Sequence, residues 1–519
     1  MSISKSLLVV GIISYVLISA NIGGYSIYML DEAKNTQCAR EMADRGDWIV
    51  PTFNGQLRTD KPPLHYFFMR LSYSVFGDGA FGARFFSSIF GVLTVLLTYF
   101  FTRSFLGEKA ASYSALVLLC SLGFIAQFHL AVPDPYLIFF ITAAICCYFY
   151  YEQKQKRKYL YLAYIAVGLG VLTKGPIAIV LPGMAVFFFM IYKRKLTARE
   201  LLMLNPPLGL LIIAAIAGPW YYLVHIETAG AWTQGFFLDH NVNRFNAPKE
   251  GHSGGFWLPT AYALGMLLPF SVFIPQAVRQ AFKEKQDILV YSLITIGCML
   301  LFFSLASTKL PGYTSPVFPF AAIVLGNYLS KIEQYNRKWI LTSLVVFLVI
   351  TIGLFVGSKI GIQDAKEIRH LTHLQWYFLP VPIIAFVALI FLLLGKRQLS
   401  MLSTGVSFLV LHQLFFYFVF PEINQQNTVV KTIDWVKDEP NLIAYHRLNS
   451  GYVHALDRVI PMAYKSEEIT DFFEEKGSGV IFTRPEYMEE LTSISFKEVA
   501  RAPDLFDGTT TVLLRVGQN

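Results

Sequence analysis

Two carboxylic acids stand side by side where the first apolar run of the sequence ends. Asp31 and Glu32 follow an apolar segment over residues 7–28 and open a long polar loop. A carboxylate in this place can accept the proton of an incoming hydroxyl group or orient that group. The ordinary alternative for such a pair is the solvated end of a membrane span.

A third acid, Asp134, lies in a short turn between two further apolar runs. Pro133 and Pro135 flank it and restrict the backbone on both sides. An acidic group at membrane depth is costly, which makes it a candidate functional residue. We therefore predict that Asp134, together with Asp31 and Glu32, supplies the carboxylates of a catalytic site.

Isolated cations accompany these acids. Lys61, Lys174 and Lys309 each stand one or two residues before a proline in short polar segments. One alternative is that they snorkel to lipid phosphates, but three together favour a site for an anionic ligand. His240 and Arg244 would share one face if their segment is helical. Cations at membrane depth can hold a lipid phosphate as a leaving group, which suits group transfer from a lipid-linked donor.

The elements that must position these residues are apolar runs. The chain is 54% hydrophobic and 15% charged, with a mean hydropathy of +0.48, whereas soluble domains carry about 25% charge. Many of the runs approach the ~20 residues that span a bilayer. They predict a polytopic α-helical membrane protein of about thirteen spans, at roughly 7–28, 80–102, 111–130, 135–151, 159–173, 176–192, 204–224, 256–278, 288–306, 312–330, 339–357, 375–394 and 401–420.

The basic residues between the runs set the sidedness. Every basic block falls after an even number of spans, so all of them can face the cytoplasm, as does the N-terminus. This distribution explains the net charge of +8 without nucleic acid. The opposite side then receives the loop 29–79, the loop 225–255 and the turns at Asp134, Lys174 and Lys309.

The last ninety or so residues differ in composition from the rest. Strand-length apolar segments at 442–445, 480–482 and 510–514 alternate with a helical stretch at 466–475. We predict two domains: a transmembrane catalytic domain over 1–427, which includes the outer loop 29–79, and a small α/β domain over 428–519 on the outer side. The second domain has no recognisable catalytic motif.

In order and spacing, these motifs resemble the bacterial relatives of dolichyl-phosphate-mannose protein mannosyltransferases. Within that family, the resemblance is to the undecaprenyl-phosphate aminoarabinose:lipid A transferases. It implies a GT-C fold whose outer cavity binds a polyprenyl-phosphate-linked sugar. The motifs that carry it are Asp31-Glu32 after the first run, Gly46–Pro51, Lys61-Pro62-Pro63, Asp134-Pro135, Thr173–Pro176, His240-Asn241 with Arg244, and Lys309–Tyr313.

The resemblance also implies roles. Asp31 matches the catalytic carboxylate, and Asp134 lies near it. Lys61 and Arg244 match residues around the donor phosphate, Lys34 stands where that group often has Arg, and Tyr313 matches a cavity tyrosine. A Glu before the Lys-Pro motif and the His matching His240 are associated with a metal in that group. Here the Glu is Asp60, whose shorter side chain makes a divalent ion a candidate cofactor and not a requirement.

Together these features predict an inverting membrane glycosyltransferase. It would act as a monomer in the bacterial inner membrane and move one sugar from a polyprenyl-phosphate donor to lipid A or a related envelope glycoconjugate on the periplasmic side. A transporter or flippase of lipid-linked glycans is the alternative outside enzymes, although the sequence has no convincing internal repeat. A protein O-mannosyltransferase and a ligase that joins whole glycans to lipid A are the alternatives among enzymes.

Overall fold

The protein is built mostly of helices. The computed structural model describes residues 3–27, 30–242, 254–492, 494–505 and 508–517. In its first half the helices are α1 Ile3–Ile18, α2 Leu30–Asp44, α3 Leu64–Phe76, α4 Ala80–Leu106, α5 Glu108–Cys120, α6 Leu122–Phe128, α7 Asp134–Lys154, α8 Arg157–Lys174, α9 Ile177–Tyr192, α10 Ala198–Met203, α11 Pro206–Glu227 and α12 Ala231–Gln234.

The second half continues this pattern and ends in shorter helices. A π-helix, Gly235–Val242, follows α12, and a 3-10 turn, Pro311–Val317, precedes α16. The helices are α13 Leu258–Met266, α14 Ile274–Glu284, α15 Asp287–Leu305, α16 Phe318–Ser330, α17 Arg337–Asp364, α18 Pro380–Leu393, α19 Arg397–Leu414, α20 Phe420–Asn424, α21 Thr428–Thr432, α22 Ser450–Leu456 and α23 Ser466–Lys476.

Many of these helices are suited to a bilayer. Among the described residues, seven helical segments are long and apolar enough to cross a membrane, and two further helix pairs pass together but are bent by 68° and 112°. Ser6–Ile18 and Ile177–Tyr192 are shorter apolar helices. Each of the thirteen predicted runs is largely helical, so the multi-span helical architecture is confirmed, whereas the count of thirteen crossings stays a prediction.

The break predicted at Lys174 is present. Helix α8 ends at Lys174 and α9 begins at Ile177. Gly175 between them has φ +80, and a Cβ there would lie 2.6 Å from the Phe236 ring. Both the left-handed backbone and the close approach require glycine at this turn.

The first helix ends earlier than the apolar run predicts. The run extends to residue 28, but α1 ends at Ile18 and turns follow it. The physical reason lies in the backbone carbonyls that these turns release from helical pairing. The carbonyls of Ile22 and Tyr25 accept hydrogen bonds from Arg84 at 2.8 and 2.9 Å.

The C-terminal segment forms a five-stranded mixed sheet. After the hairpin strands β1 Thr52–Phe53 and β2 Gln56–Leu57, the strands of this sheet are β3 Leu442–Tyr445, β4 Met462–Ala463, β5 Gly479–Thr483, β6 Phe496–Pro503 and β7 Thr510–Val516. Their order in the sheet is β4-β3-β5-β7-β6, in which β3 pairs in parallel with β4 and β5, and β7 is antiparallel to both β5 and β6. The predicted strands and the helix at 466–475 are found; β4 and β6 were not predicted.

This segment packs against the outer loop that follows α1. The loop contains α2, a two-stranded hairpin (β1 Thr52–Phe53 and β2 Gln56–Leu57) and α3. At the tip of the hairpin, the Asn54 side chain donates to the Ile460 carbonyl at 2.8 Å and accepts from the Ile460 amide at 2.7 Å. Arg40 on α2 donates to the His454 carbonyl at 2.9 Å. The C-terminal sheet therefore braces the loop that carries Asp31 and Lys61.

Candidate active site

The two acids that open α2 have different surroundings. Asp31 is exposed, whereas only 2% of the Glu32 side chain is exposed. Both lie in the first turn of the helix, where the partial positive charge of the N-terminus stabilises carboxylates. Adjacent positions on a helix point about 100° apart, so one acid can face solvent while its neighbour faces the protein.

Glu32 forms a buried ion pair with Arg84 of α4. Arg84 Nε donates to Glu32 Oε1 and Arg84 Nη2 donates to Glu32 Oε2, both at 2.7 Å. The Ala131 backbone amide also donates to Glu32 Oε1 at 2.9 Å. Both oxygens of Glu32 are therefore engaged. This geometry is that of a residue that holds α2 in place, and it argues against the predicted direct catalytic role of Glu32.

The same pair connects two predicted parts of the site. Ala131 lies three residues before Asp134, so Glu32 links the start of α2 to the turn that precedes α7. Asp134 stands at the amino end of α7 and Lys174 at the carboxyl end of α8, positions that favour these charges. Lys174 Nζ donates to Asp134 Oδ1 at 2.6 Å. The pair is partly exposed, with 19% and 21% of the two side chains accessible.

Tyr313 belongs to this neighbourhood. Its ring, on the 3-10 turn that precedes α16, has its centroid 5.3 Å from Lys174 Nζ. A cation at that distance from an aromatic face is attracted to it. Asp134, Lys174 and Tyr313, which lie far apart in the sequence, are thus brought together.

Lys61 lies on the segment between β2 and α3. Its charge acts on the buried side chain of His65, as do the charges of Arg58 and Lys174. Burial and the positive charge of Arg58 lower the pKa of His65 well below its usual range, so the ring is neutral. The charges of Lys61, Lys174 and Arg58 thus all act on His65, and the charge of Asp31 acts on Arg58.

Two other predicted cations have different surroundings. Lys309 is buried, and its ammonium group donates to the Ala306 carbonyl in its own turn at 2.7 Å. Lys34 lies on α2, partly exposed, one turn after Leu30. The side chain of His240 and the whole of Arg244 lie outside the described residues, so their predicted roles stay predictions.

The candidate metal does not fit the residues that the structure describes. Asp60 Oδ2 is 3.5 Å from Arg58 Nη2, and a divalent cation beside that guanidinium would be repelled. The described chain also holds no group of three or more His, Cys, Asp or Glu residues arranged for a metal ion.

Three residues of this region were not predicted from the sequence. In the sequence Arg58 resembles an ordinary loop residue and His65 an ordinary helix residue, whereas both are buried in the fold. For Arg84, the sequence does contain an indication. It is the single charged residue in the predicted run 80–102, and an ionisable residue inside a span marks a partner or a function.

The arrangement can bind an anionic donor and transfer a group from it to an acceptor. An exposed carboxylate, Asp31, lies beside the buried Glu32–Arg84 ion pair, and its charge interacts with that of the buried Arg58. Fixed cations in a partly desolvated place stabilise negative charge that develops on a leaving group. The carboxylate can receive or orient an acceptor proton.

Comparison with known proteins places the chain in a family. The family model described as dolichyl-phosphate-mannose-protein mannosyltransferase matches residues 60–222. An uncharacterized protein of Aquifex aeolicus is 33% identical over 354 residues, which cover 66% of this chain and 68% of that protein. An undecaprenyl phosphate-alpha-4-amino-4-deoxy-L-arabinose arabinosyl transferase of Edwardsiella ictaluri is 30% identical over 338 residues. That match covers 64% of this chain and 60% of the transferase.

The fold is also that of a solved structure. The crystal structure of ArnT from Cupriavidus metallidurans bound to undecaprenyl phosphate superimposes with a TM-score of 0.81 at 18% identity, and the match covers 99% of this chain and 98% of that one. At this identity the likeness establishes the fold and not the activity. The chain therefore belongs to the dolichyl-phosphate-mannose-protein mannosyltransferase family and has the GT-C membrane fold.

Proposed function

We propose that the protein is a membrane glycosyltransferase that moves a single sugar from a polyprenyl-phosphate donor to an acceptor at the outer face of the bacterial inner membrane. The observation that carries this proposal is the exposed Asp31 beside the buried Glu32–Arg84 pair, within reach of the charge of Arg58. Family membership and the names of the relatives support the same reaction class.

The donor class rests on two relatives. The Edwardsiella protein is named for an undecaprenyl-phosphate-linked aminoarabinose, and the Cupriavidus structure contains undecaprenyl phosphate. We extend this lipid class, and not the particular sugar, to the present chain. For the acceptor we propose lipid A or a related envelope glycoconjugate, as the sequence resemblance implies.

The reaction would be a single inverting displacement. The acceptor oxygen bonds to the anomeric carbon, the bond from that carbon to the donor phosphate oxygen breaks, and polyprenyl phosphate leaves with the electron pair. Asp31 takes the proton of an acceptor hydroxyl, or orients an acceptor phosphate that needs no deprotonation. Glu32 acts through Arg84 as a positioning residue.

The cations would stabilise the negative charge of the leaving phosphate. Lys61 and Arg244 hold the donor phosphate, with Lys34 and Lys309 as further candidates. Lys174 holds Asp134 in place through their contact of 2.6 Å, and Tyr313 lines the same cavity. Polyprenyl phosphate is a reasonable leaving group, so positioning supplies much of the rate.

The finer architecture is part of the proposal. Thirteen crossings with a cytoplasmic N-terminus would put Asp31, Lys61, Asp134 and Lys174 on the periplasmic side. The catalytic domain would comprise residues 1–427 and the periplasmic domain residues 428–519, in a monomer. The hydrogen bonds of Asn54 with Ile460 support a role for the second domain in bracing the first.

The test is a transfer assay with the purified full-length protein in lipid nanodiscs. A polyprenyl-phosphate sugar labelled in the sugar is mixed with lipid A, and both free polyprenyl phosphate and labelled lipid A are measured. We expect the two products in equal amounts. A transporter or flippase would leave the donor intact. If no donor among aminoarabinose, mannose and galacturonic acid derivatives releases polyprenyl phosphate, the proposed function is wrong.

A further inference from the structure

Arg58 is a buried cation whose charged group has no hydrogen-bond partner in the part of the chain that the structure describes. Only 4% of its side chain is exposed. Its Nε, Nη1 and Nη2 atoms are all buried and make no hydrogen bond with any described residue. The carboxylate recorded beside it, Asp60, has its Oδ2 atom 3.5 Å from Nη2, which is longer than the roughly 2.7–2.9 Å of a charge-assisted hydrogen bond.

The other buried arginine shows what a structural guanidinium looks like in this protein. Arg84, with 1% of its side chain exposed, donates to both oxygens of Glu32 and to the carbonyls of Ile22 and Tyr25. Arginine does not lose its proton in proteins, so Arg58 is charged as well. Unlike the charge of Arg84, the charge of Arg58 is balanced by neighbouring groups such as Asp60 and Asp31 and not by hydrogen bonds to its guanidinium.

Hydrogen bonds of its own amide and carbonyl groups fix the backbone of Arg58. Its amide donates to the Pro51 carbonyl at 2.9 Å. Its carbonyl accepts from Trp232 Nε1 at 2.9 Å, and Trp232 itself is fully buried. The position of the guanidinium is therefore built into the fold and does not result from a loose loop.

The charges around Arg58 are those of the proposed donor site. Arg58 lies three residues before Lys61, so their Cα atoms are at most about 11 Å apart. Lys61 and Lys174 act with Arg58 on the same histidine. The titratable groups that face Arg58 are Asp31 and Cys38 of α2, Asp60 and Lys61 of its own segment, His65 and Tyr66 of α3, and beyond His65 the Lys174 of α8.

We propose that Arg58 is a positioning residue for the donor: a buried positive charge, held by the fold without hydrogen bonds to its guanidinium group, that raises the affinity of the site for the phosphate of the polyprenyl donor. Its guanidinium nitrogens are shielded, so it acts through its charge on the phosphate held by Lys61 and through Asp60, without contact. This inference rests on the proposed function and deepens it.

Two properties would separate this role from a structural one. Replacing a fully hydrogen-bonded buried arginine such as Arg84 with a neutral residue lowers stability, whereas replacing Arg58, whose ion pair with Asp60 contains no hydrogen bond, with a neutral residue of matched size should change stability little. At an effective dielectric constant of 20, a unit charge within about 12 Å of a phosphate changes its affinity about tenfold. The affinity for the phosphate should therefore fall while the stability changes little.

The experiment uses the full-length protein in detergent with undecaprenyl phosphate as the probe. Its dissociation constant and the midpoint of thermal unfolding are measured for the wild type, Arg58→Met, Arg58→Lys and the control Arg45→Met. Arg45 lies in the same outer loop, with 39% of its side chain exposed. We expect Arg58→Met to bind about tenfold more weakly, without a lower midpoint. Arg58→Lys and Arg45→Met should bind within about threefold of the wild type.

Each other result decides against the inference. An Arg58→Met protein with unchanged affinity would overturn it. So would a failure of both Arg58→Met and Arg58→Gln to fold, because Arg58 would then be structural. Absence of undecaprenyl phosphate binding by the wild type would instead reject the proposed function, together with the inference that rests on it. The two failures are therefore distinguishable.

Discussion

Neutralising Glu32 should destabilise the protein, because it leaves the buried guanidinium of Arg84 without the carboxylate that balances its charge. Glu32→Gln keeps the size of the side chain but removes the carboxylate to which Arg84 donates twice at 2.7 Å. With 1% and 2% of the two side chains exposed, solvent cannot compensate. Breaking a buried pair by removing one partner costs about 3–5 kcal/mol.

The double variant tests whether the pair itself is responsible. Arg84→Met in the Glu32→Gln background removes the orphaned charge, but it leaves the carbonyls of Ile22 and Tyr25 without their donor. Unpaired buried carbonyls cost about 1–3 kcal/mol each. The double variant should therefore lose clearly less stability than the sum of the two single variants, although it should not reach the wild type.

The assay is equilibrium unfolding in mixed detergent micelles, followed by tryptophan fluorescence. Asp31→Asn is the matched control, since it removes the same charge at the neighbouring, exposed position and should leave the transition within about 0.5 kcal/mol of the wild type. Equal stability of Glu32→Gln and the wild type would refute the assignment of Glu32 to positioning. Strict additivity of the single and double variants would refute the coupling.

Two further predictions concern charges around the same loop. Lys174→Met removes the partner of Asp134 at 2.6 Å. Because the pair is partly exposed, the free energy of unfolding should fall by only about 1 kcal/mol, while the transfer rate should fall at least about tenfold. An unchanged transfer rate would show that the pair is not part of the site. Burial and the positive charge of Arg40 lower the pKa of His454 from 6.5 to about 4. As the pH falls, the unfolded chain therefore binds a proton at this residue before the folded protein does. Up to about 3 kcal/mol of stability should be lost as the pH falls from 6.5 to 4. His454→Gln should flatten that dependence of the unfolding midpoint on pH, and an unaltered slope would show that other groups cause it.

The sequence predicts the helical body well because its apolar runs and charged loops are local features. The break at Lys174 follows from the parity of the basic loops, and the strands predicted at 442–445 and 480–482 follow from run length; the second is found at 479–483. The early end of α1 was missed because it depends on Arg84, which reaches back from another helix to carbonyls that a continuous helix would occupy.

The site was predicted only in part, because its contacts join residues that are far apart in the sequence. Charge parity places Asp134 and Lys174 on one side, but only the antiparallel pairing of α7 and α8 makes them a contact pair. Adjacent acids cannot be separated by sequence, so Glu32 was grouped with Asp31 until burial assigned it to Arg84. Arg58 reads as a solvated loop residue, and only the packing of α2, α3 and Trp232 buries it.

Whether sugar transfer depends on the carboxylate of Asp31 is decided by single-turnover transfer with Asp31→Asn. The rate of appearance of undecaprenyl phosphate is measured with the enzyme in excess of the donor, alongside the dissociation constant for undecaprenyl phosphate. For an acceptor that transfers a hydroxyl proton, we predict a rate lower by about 10²–10⁴ with an affinity within about threefold of the wild type. A wild-type rate in Asp31→Asn would show that Asp31 is not the carboxylate on which transfer depends.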